Sequence, residues 1–69
     1  GSTQPLGVQR VYHQGQWWDA QRFARLELSV GAQVQGPAIL EQADTTVWLE
    51  PKFVAKVDAM GNLLVTAQP

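Results

Sequence analysis

The chain offers few residues of a kind that does chemistry, and spacing decides most of them. His13 is the single histidine and cysteine is absent, so thiolate zinc sites and His-rich metal clusters are excluded. A metal at His13 would need three carboxylates converging on it, and nothing in the spacing asks for that. A lone imidazole at a strand end reads as solvent-facing. Asp44-Thr45-Thr46 has the order of an Asp-Thr-Gly catalytic loop, but the third position lacks the glycine that aims such a carboxylate. Asp44 reads instead as a turn cap ahead of a strand begun by the two threonines. Glu41 and Asp44 stand three residues apart, which on extended chain sends them to opposite faces and opposes a general acid/base pair. Lys52 lies between two strands like the lysine of a lipoyl or biotinyl carrier. Its neighbours Pro51 and Phe53 are not the Met-Lys-Met or Asp-Lys-Ala such a carrier uses, so a solvated turn lysine is expected. No Gly-rich phosphate loop, Gly-x-Ser-x-Gly or Ser/His/Asp arrangement occurs, and the chain alone has no set for acyl or phosphoryl transfer.

Trp17, Trp18 and Trp48 are the remaining candidates. With Arg10, Arg22 and Arg25 nearby they could stack on a sugar or on single-stranded bases. Five basic against six acidic residues and a pI of 5.6 leave no electrostatic footprint for nucleic acid. Neighbours on a strand face opposite sides, so one of Trp17 and Trp18 packs inward and the other is free to cover an interface. Trp18, Trp48 and Arg25 are the contacts expected toward further chain or a partner subunit.

The elements that position these residues read as short strands. Residues 1–7 hold Gly1-Ser2, taken as a tag remnant, and a polar linker broken by Pro5 and Gly7. A single β module is expected over 8–67, with 68–69 as a tail. Val8 to His13 and the run opened by Trp17-Trp18 flank Gln14-Gly15-Gln16 as a first hairpin. Asp19 to Leu28 fits a strand ending in a turn-like or single-turn helical piece. Gly36-Pro37 breaks the chain before Ala38-Ile39-Leu40, and Pro37 can start a strand but not sit inside a central one. Thr45 to Leu49 is the best strand by β propensity. Phe53, Ala55 and Val57 alternate with Val54, Lys56 and Asp58, and Ala59-Met60-Gly61-Asn62 turns that strand into Leu63 to Ala67.

This punctuation specifies an all-β domain, a small antiparallel barrel or sandwich of about five to seven short strands. Val11, Phe23, Leu28, Ile39 or Leu40, Val47, Phe53, Val57 and Val65 form the expected core. Sixty-nine residues that are 45% hydrophobic and 16% charged suit one folded domain. Surface scaling gives about 4,300 Å² exposed against roughly 11,000 Å² unfolded, enough for one modest core and no large ligand cavity. No apolar run reaches the roughly 18 to 20 residues of a membrane span, and the N-terminus lacks a signal-peptide pattern. The expected setting is cytoplasmic, without membrane or nucleic-acid partners. The missing initiator Met suggests a piece of a longer protein.

Three stretches together resemble the C-terminal end of the hydantoinase A / 5-oxoprolinase family. They are Arg25-x-x-Leu28-x-x-Gly31; Gly36-Pro37-Ala38-Ile39-Leu40-Glu41-Gln42 with Asp44-Thr45-Thr46-Val47; and Pro51 with Val57-Asp58 and Gly61-Asn62-Leu63. Val11-Tyr12 and Trp17 resemble the hairpin that precedes that block, so the likeness runs from about Arg10 to Val65. It implies a parent enzyme that opens cyclic amides such as hydantoins or 5-oxoproline with ATP hydrolysis, or carboxylates ketones in the acetone carboxylase branch. ATP and Mg would then be cofactors of the parent, bound in an actin-like region upstream. No catalytic, cofactor-binding or metal-binding residue is carried onto this chain. Lys52-Phe53 stands where the family usually has Gly-Trp, and a Cβ there implies a different turn geometry.

Two functions follow as expectations. The first is a non-catalytic structural or interaction module of an ATP-dependent hydantoinase/5-oxoprolinase-type enzyme, contacting the remaining chain and a second subunit. The alternative is an independent small-ligand or carbohydrate-binding β module that uses its surface tryptophans.

Overall fold

A computed structural model of the chain describes residues 4–68; the tag remnant Gly1-Ser2, Thr3 of the linker and Pro69 of the tail lie outside the described residues. The strands are β1 (Gly7–His13), β2 (Gln16–Ala24), β3 (Gln33–Gln35), β4 (Ala38–Glu41), β5 (Thr46–Leu49), β6 (Phe53–Val57) and β7 (Leu63–Ala67), with one 3-10 turn at Arg25–Glu27 after β2. The all-β expectation holds, including the single helical turn at the end of the second run. A four-stranded sheet ordered β1-β2-β4-β5 faces a three-stranded sheet ordered β3-β6-β7. The result is sandwich-like, and the barrel alternative falls away because no strand among the described residues closes the two sheets into one.

One pairing departs from the antiparallel expectation. β2 and β4 run parallel, with Gln21 opposite Ala38 and Phe23 opposite Leu40. Parallel neighbours require a crossover of a dozen residues or so, and the 3-10 turn with β3 supplies it by crossing to the other sheet. Gly36-Pro37, a cis peptide, then returns the chain. Gly36 has no room for a side chain: a Cβ there would stand 2.7 Å from the Glu50 carbonyl carbon and closer to its oxygen.

The core lies between the sheets and is built from Phe23, Leu28, Val34, Ala38, Leu40, Leu49, Ala55 and Val57, with Ala32, Val47, Phe53 and Leu63 packed against it. Two expected core residues need revision. Val65 is 48% exposed, because β7 is the edge of the smaller sheet and no strand beyond it closes the gap. Val11 is half-buried on the far side of its sheet. The alternative of Ile39 or Leu40 resolves to Leu40 for the core between the sheets, although both are buried. Strand alternation sends Ile39 to the opposite face.

That opposite face has its own small cluster. β4 pairs with β2 only from Gln21 onward, so the first half of β2 is free to follow the strand twist. The four-stranded sheet curls until its two edges meet: the His13 ring of β1 stands edge-on to Trp48 of β5, centroids 5.4 Å apart. Inside the curl the register aligns Val11 with Trp18 and Ile39 with Trp48, and Ala20 beneath them is fully buried.

Candidate functional site

The turn that ends β1 decides which aromatic side chains reach solvent. Gln14 and Gly15 both have positive φ, 50° and 83°, as a two-residue type I′ hairpin requires. This tight turn sets His13 opposite Gln16 and therefore Tyr12 opposite Trp17 and Val11 opposite Trp18. Trp18 enters the curl, where its indole Nε1 donates to the His13 carbonyl at 3.1 Å. Trp17 leaves on the other face, beyond the second sheet, and is 58% exposed.

Tyr12 and Trp17 pack edge to face, with centroids 5.3 Å apart and planes at 74°. The Arg10 guanidinium lies 5.2 Å from the Trp17 ring centre, and its Nε is 3.8 Å from Asp19 Oδ1. Val8 completes the same face, which alternation along β1 brings out beside Arg10 and Tyr12. Aromatic side chains carry about 150–250 Å² each, so at this exposure Tyr12 and Trp17 together present roughly 180–300 Å². The hairpin thus holds two aromatic rings, an aliphatic side chain and a paired cation in a fixed array. Such Tyr, Trp and Arg sets are enriched where proteins meet. Arg10 already covers one face of Trp17.

The other singled-out residues fall apart from this face. His13 is not the solvent-facing histidine expected: its Nε2 is 3.1 Å from Glu50 Oε1, because the curl folds the hairpin over β5. Trp18 and Trp48 are half-buried on the inner side of that curl. Arg25 is half-buried and its Nη2 donates to the Gly61 carbonyl at 2.8 Å, tying the 3-10 turn to the β6–β7 turn. The structure therefore brings Trp18 and Trp48 into one cluster through His13 and leaves Arg25 elsewhere. Asp44 is exposed in the β4–β5 turn, while the carboxylate that caps a turn is Asp58, accepting from the Met60 and Asn62 amides at 2.9 and 2.8 Å.

Glu41 is engaged rather than free. Arg22 Nε donates to Glu41 Oε2 at 2.5 Å and Nη2 to Oε1 at 3.2 Å, a forked pair across the parallel strands. The Arg22 hydrogen bonds hold the Glu41 carboxyl below its ordinary range, against the partial burial that would raise it. Lys52 is the exposed turn lysine expected, yet its φ is 72°. It adopts the left-handed conformation that glycine favours, a strained choice for a residue with a Cβ. Sequence reasoning missed Tyr12 and Val8 as surface residues. The signal was present: a two-residue turn at Gln14-Gly15 places Tyr12 opposite Trp17 by counting alone.

Among the described residues no three His, Asp or Glu side chains gather as metal ligands would, and no helix is long and apolar enough to cross a membrane.

A seven-strand β sandwich with an aromatic hairpin face defines the class of the molecule as a small β module. Its family is equally plain. Residues 2–65 match the hydantoinase/oxoprolinase C-terminal domain, and the chain belongs to that family. It is similar to 5-oxoprolinase 1 of Arabidopsis thaliana, 33% identical over 60 residues, covering 87% of this chain and 5% of that protein. It is also similar to an uncharacterized protein of Methanocaldococcus jannaschii, 33% identical over 61 residues, covering 88% of this chain and 9% of that one. The chain thus spans less than a tenth of either relative.

Proposed function

We propose that this module is a non-catalytic docking element of a larger hydantoinase/5-oxoprolinase-type enzyme, and that the outward face of its first hairpin is the docking surface. The single observation that carries the reading is the exposed Tyr12–Trp17 pair, held rigid by a tight turn and flanked by Val8 and Arg10. Its membership of a C-terminal domain family, and the small share of its relatives that it spans, support a role within a longer polypeptide. The name of the Arabidopsis thaliana relative supports cyclic-amide opening as the activity of the parent. ATP and Mg, a second subunit and a cytoplasmic setting belong to the same proposal and rest on the family resemblance. In this reading Trp18 and Trp48 hold the hairpin against β5 and Arg25 ties the 3-10 turn to the β6–β7 turn, and any contact they make with further chain lies outside the hairpin face.

The test is complementation. A parent of this type, deprived of the matching C-terminal segment, is assayed for cyclic-amide opening alone, with the native chain added, and with a Trp17→Ala chain added. The proposal expects restored activity with the native chain and at least tenfold more variant for the same effect. Full activity of the truncated parent, or equal rescue by both chains, contradicts it.

A further inference from the structure

Arg10 stands within the exposed hairpin face and is the least satisfied of the three arginines. Arg22 is forked onto Glu41, and Arg25 donates to the Gly61 carbonyl. Arg10 reaches only Asp19, with 3.8 Å from Nε to Oδ1, an ion-pair distance too long for a hydrogen bond. Among the described residues its guanidinium therefore donates no hydrogen bond, although it carries five N–H donors in a planar fork. Stacking over Trp17, 5.2 Å from the ring centre, holds that fork in place. A stacked guanidinium keeps its edge open to a carboxylate. Asp19 lies on the Nε side, so the open edge is that of Nη1 and Nη2.

The neighbours of Arg10 make this edge a condition on whatever docks there. Along β1 it sits between Val8 and Tyr12 on one face, with Trp17 opposite Tyr12 on β2. A partner that covers Val8 and the two rings must also cover the guanidinium among them. Taking a cation out of water is costly unless it is paired and hydrogen-bonded, and Asp19 supplies a counter-charge but no hydrogen bond. Resting on the docking role proposed above, we infer that the docked segment of the parent enzyme is acidic. It presents an Asp or Glu carboxylate end-on to Nη1 and Nη2 of Arg10, flanked by apolar side chains that cover Val8 and the Tyr12–Trp17 pair. The carboxylate matches the guanidinium fork with two parallel charge-assisted hydrogen bonds, which a neutral acceptor does not.

Calorimetric titration tests this, with the parent lacking its matching C-terminal segment as the probe, at low and at high salt. The native chain is compared with Arg10→Gln, Arg10→Lys, Asp19→Asn and Trp17→Ala chains. Native binding should weaken with salt. Arg10→Gln should bind about tenfold more weakly or worse, the scale of hydrogen bonds between charged groups, and with a flatter salt dependence. Arg10→Lys keeps the charge but not the fork, so it should recover the salt dependence with only part of the affinity. Asp19→Asn removes a like charge near the incoming carboxylate and should bind at least as tightly as the native chain. If Arg10→Gln does not fold, Arg10→Lys and Asp19→Asn decide. Native-like binding by Arg10→Gln while Trp17→Ala binds weakly overturns the acidic partner and leaves the docking face standing. A loss confined to Asp19→Asn does the same and marks a cationic partner instead. A native chain that does not bind the truncated parent at all overturns the docking role, and the acidic partner with it.

Discussion

Trp17 and Trp18 are adjacent in sequence and serve opposite sides of one sheet: Trp17 stands out beside Tyr12, while Trp18 is drawn into the curl and donates to the His13 carbonyl at 3.1 Å. The two-residue turn at Gln14-Gly15 fixes this assignment, and a one-residue slip would exchange them. One tryptophan therefore holds the hairpin while the other stays exposed.

The two should differ in what their removal does. Trp18→Ala empties the curl over Ala20 and Ile39 and should destabilise the fold by about 2–3 kcal/mol, less than a fully buried tryptophan because Trp18 is half-buried. Trp17→Ala should cost about 1 kcal/mol or less, the scale of an exposed edge-to-face pair. Urea unfolding of both variants gives the comparison, and equal losses would contradict the assignment of faces.

Gly36 is fixed by the approach of the Glu50 carbonyl. Gly36→Ala must push β5 away or distort the return into β4, at a cost of about 1–3 kcal/mol, as for other overpacked sites. A thermal melt indistinguishable from that of the native chain would show that the Glu50 segment yields freely.

Two turns carry non-glycine residues at positive φ, Gln14 at 50° and Lys52 at 72°. Asn tolerates this region better than Gln, and Asn-Gly is the preferred type I′ pair. Gln14→Asn should raise stability by about 0.5 kcal/mol. Lys52→Gly should relieve about 1 kcal/mol of backbone strain and lose part of it to the freer unfolded chain, for a smaller net gain. Denaturant midpoints should move upward in both.

The Arg22–Glu41 fork makes the acid limb of stability partly traceable to one side chain. Glu41 is held below its ordinary value of 4.5 by Arg22. A depressed carboxyl binds its proton less readily folded than unfolded, so its contribution is complete above that ordinary value and is lost as pH falls through the lowered one. Glu41→Gln should flatten this part of the stability–pH curve, and added salt should shrink the native slope because the pair is partly exposed. A curve of unchanged shape would mean the fork contributes nothing measurable.

Most strands were legible because glycine, proline and alternating apolar residues mark local structure. The Ala59-Met60-Gly61-Asn62 turn and the strand–turn character of Asp19 to Leu28 follow from such local signals. The parallel β2–β4 pairing was not legible, since it depends on the chain changing sheets between them. The buried alanines Ala20, Ala38 and Ala55 were missed because small residues give no strong hydrophobic pattern, although Ala38 and Ala55 sit in the core with Leu40 and Leu49 and Ala20 lies under the curl. Val65 was misplaced because alternation reveals a residue's face but not whether a second layer covers it. The curl that brings His13 to Trp48 and Glu50 is likewise a property of the whole sheet. The positive φ of Lys52 was equally hidden, since residue type argues against the left-handed region there.

The central claim is that the module lends its parent a surface rather than chemistry. The most direct measurement is an amide-shift titration of the native chain with Mg-ATP, then hydantoin and 5-oxoproline, followed by the truncated parent. The account predicts a dispersed spectrum that ignores all three small molecules and broadens at Val8, Tyr12 and Trp17 when the parent is added. Saturable shifts from any of the small molecules, clustered around Glu41 to Thr46, would contradict it and place part of a ligand site in this chain.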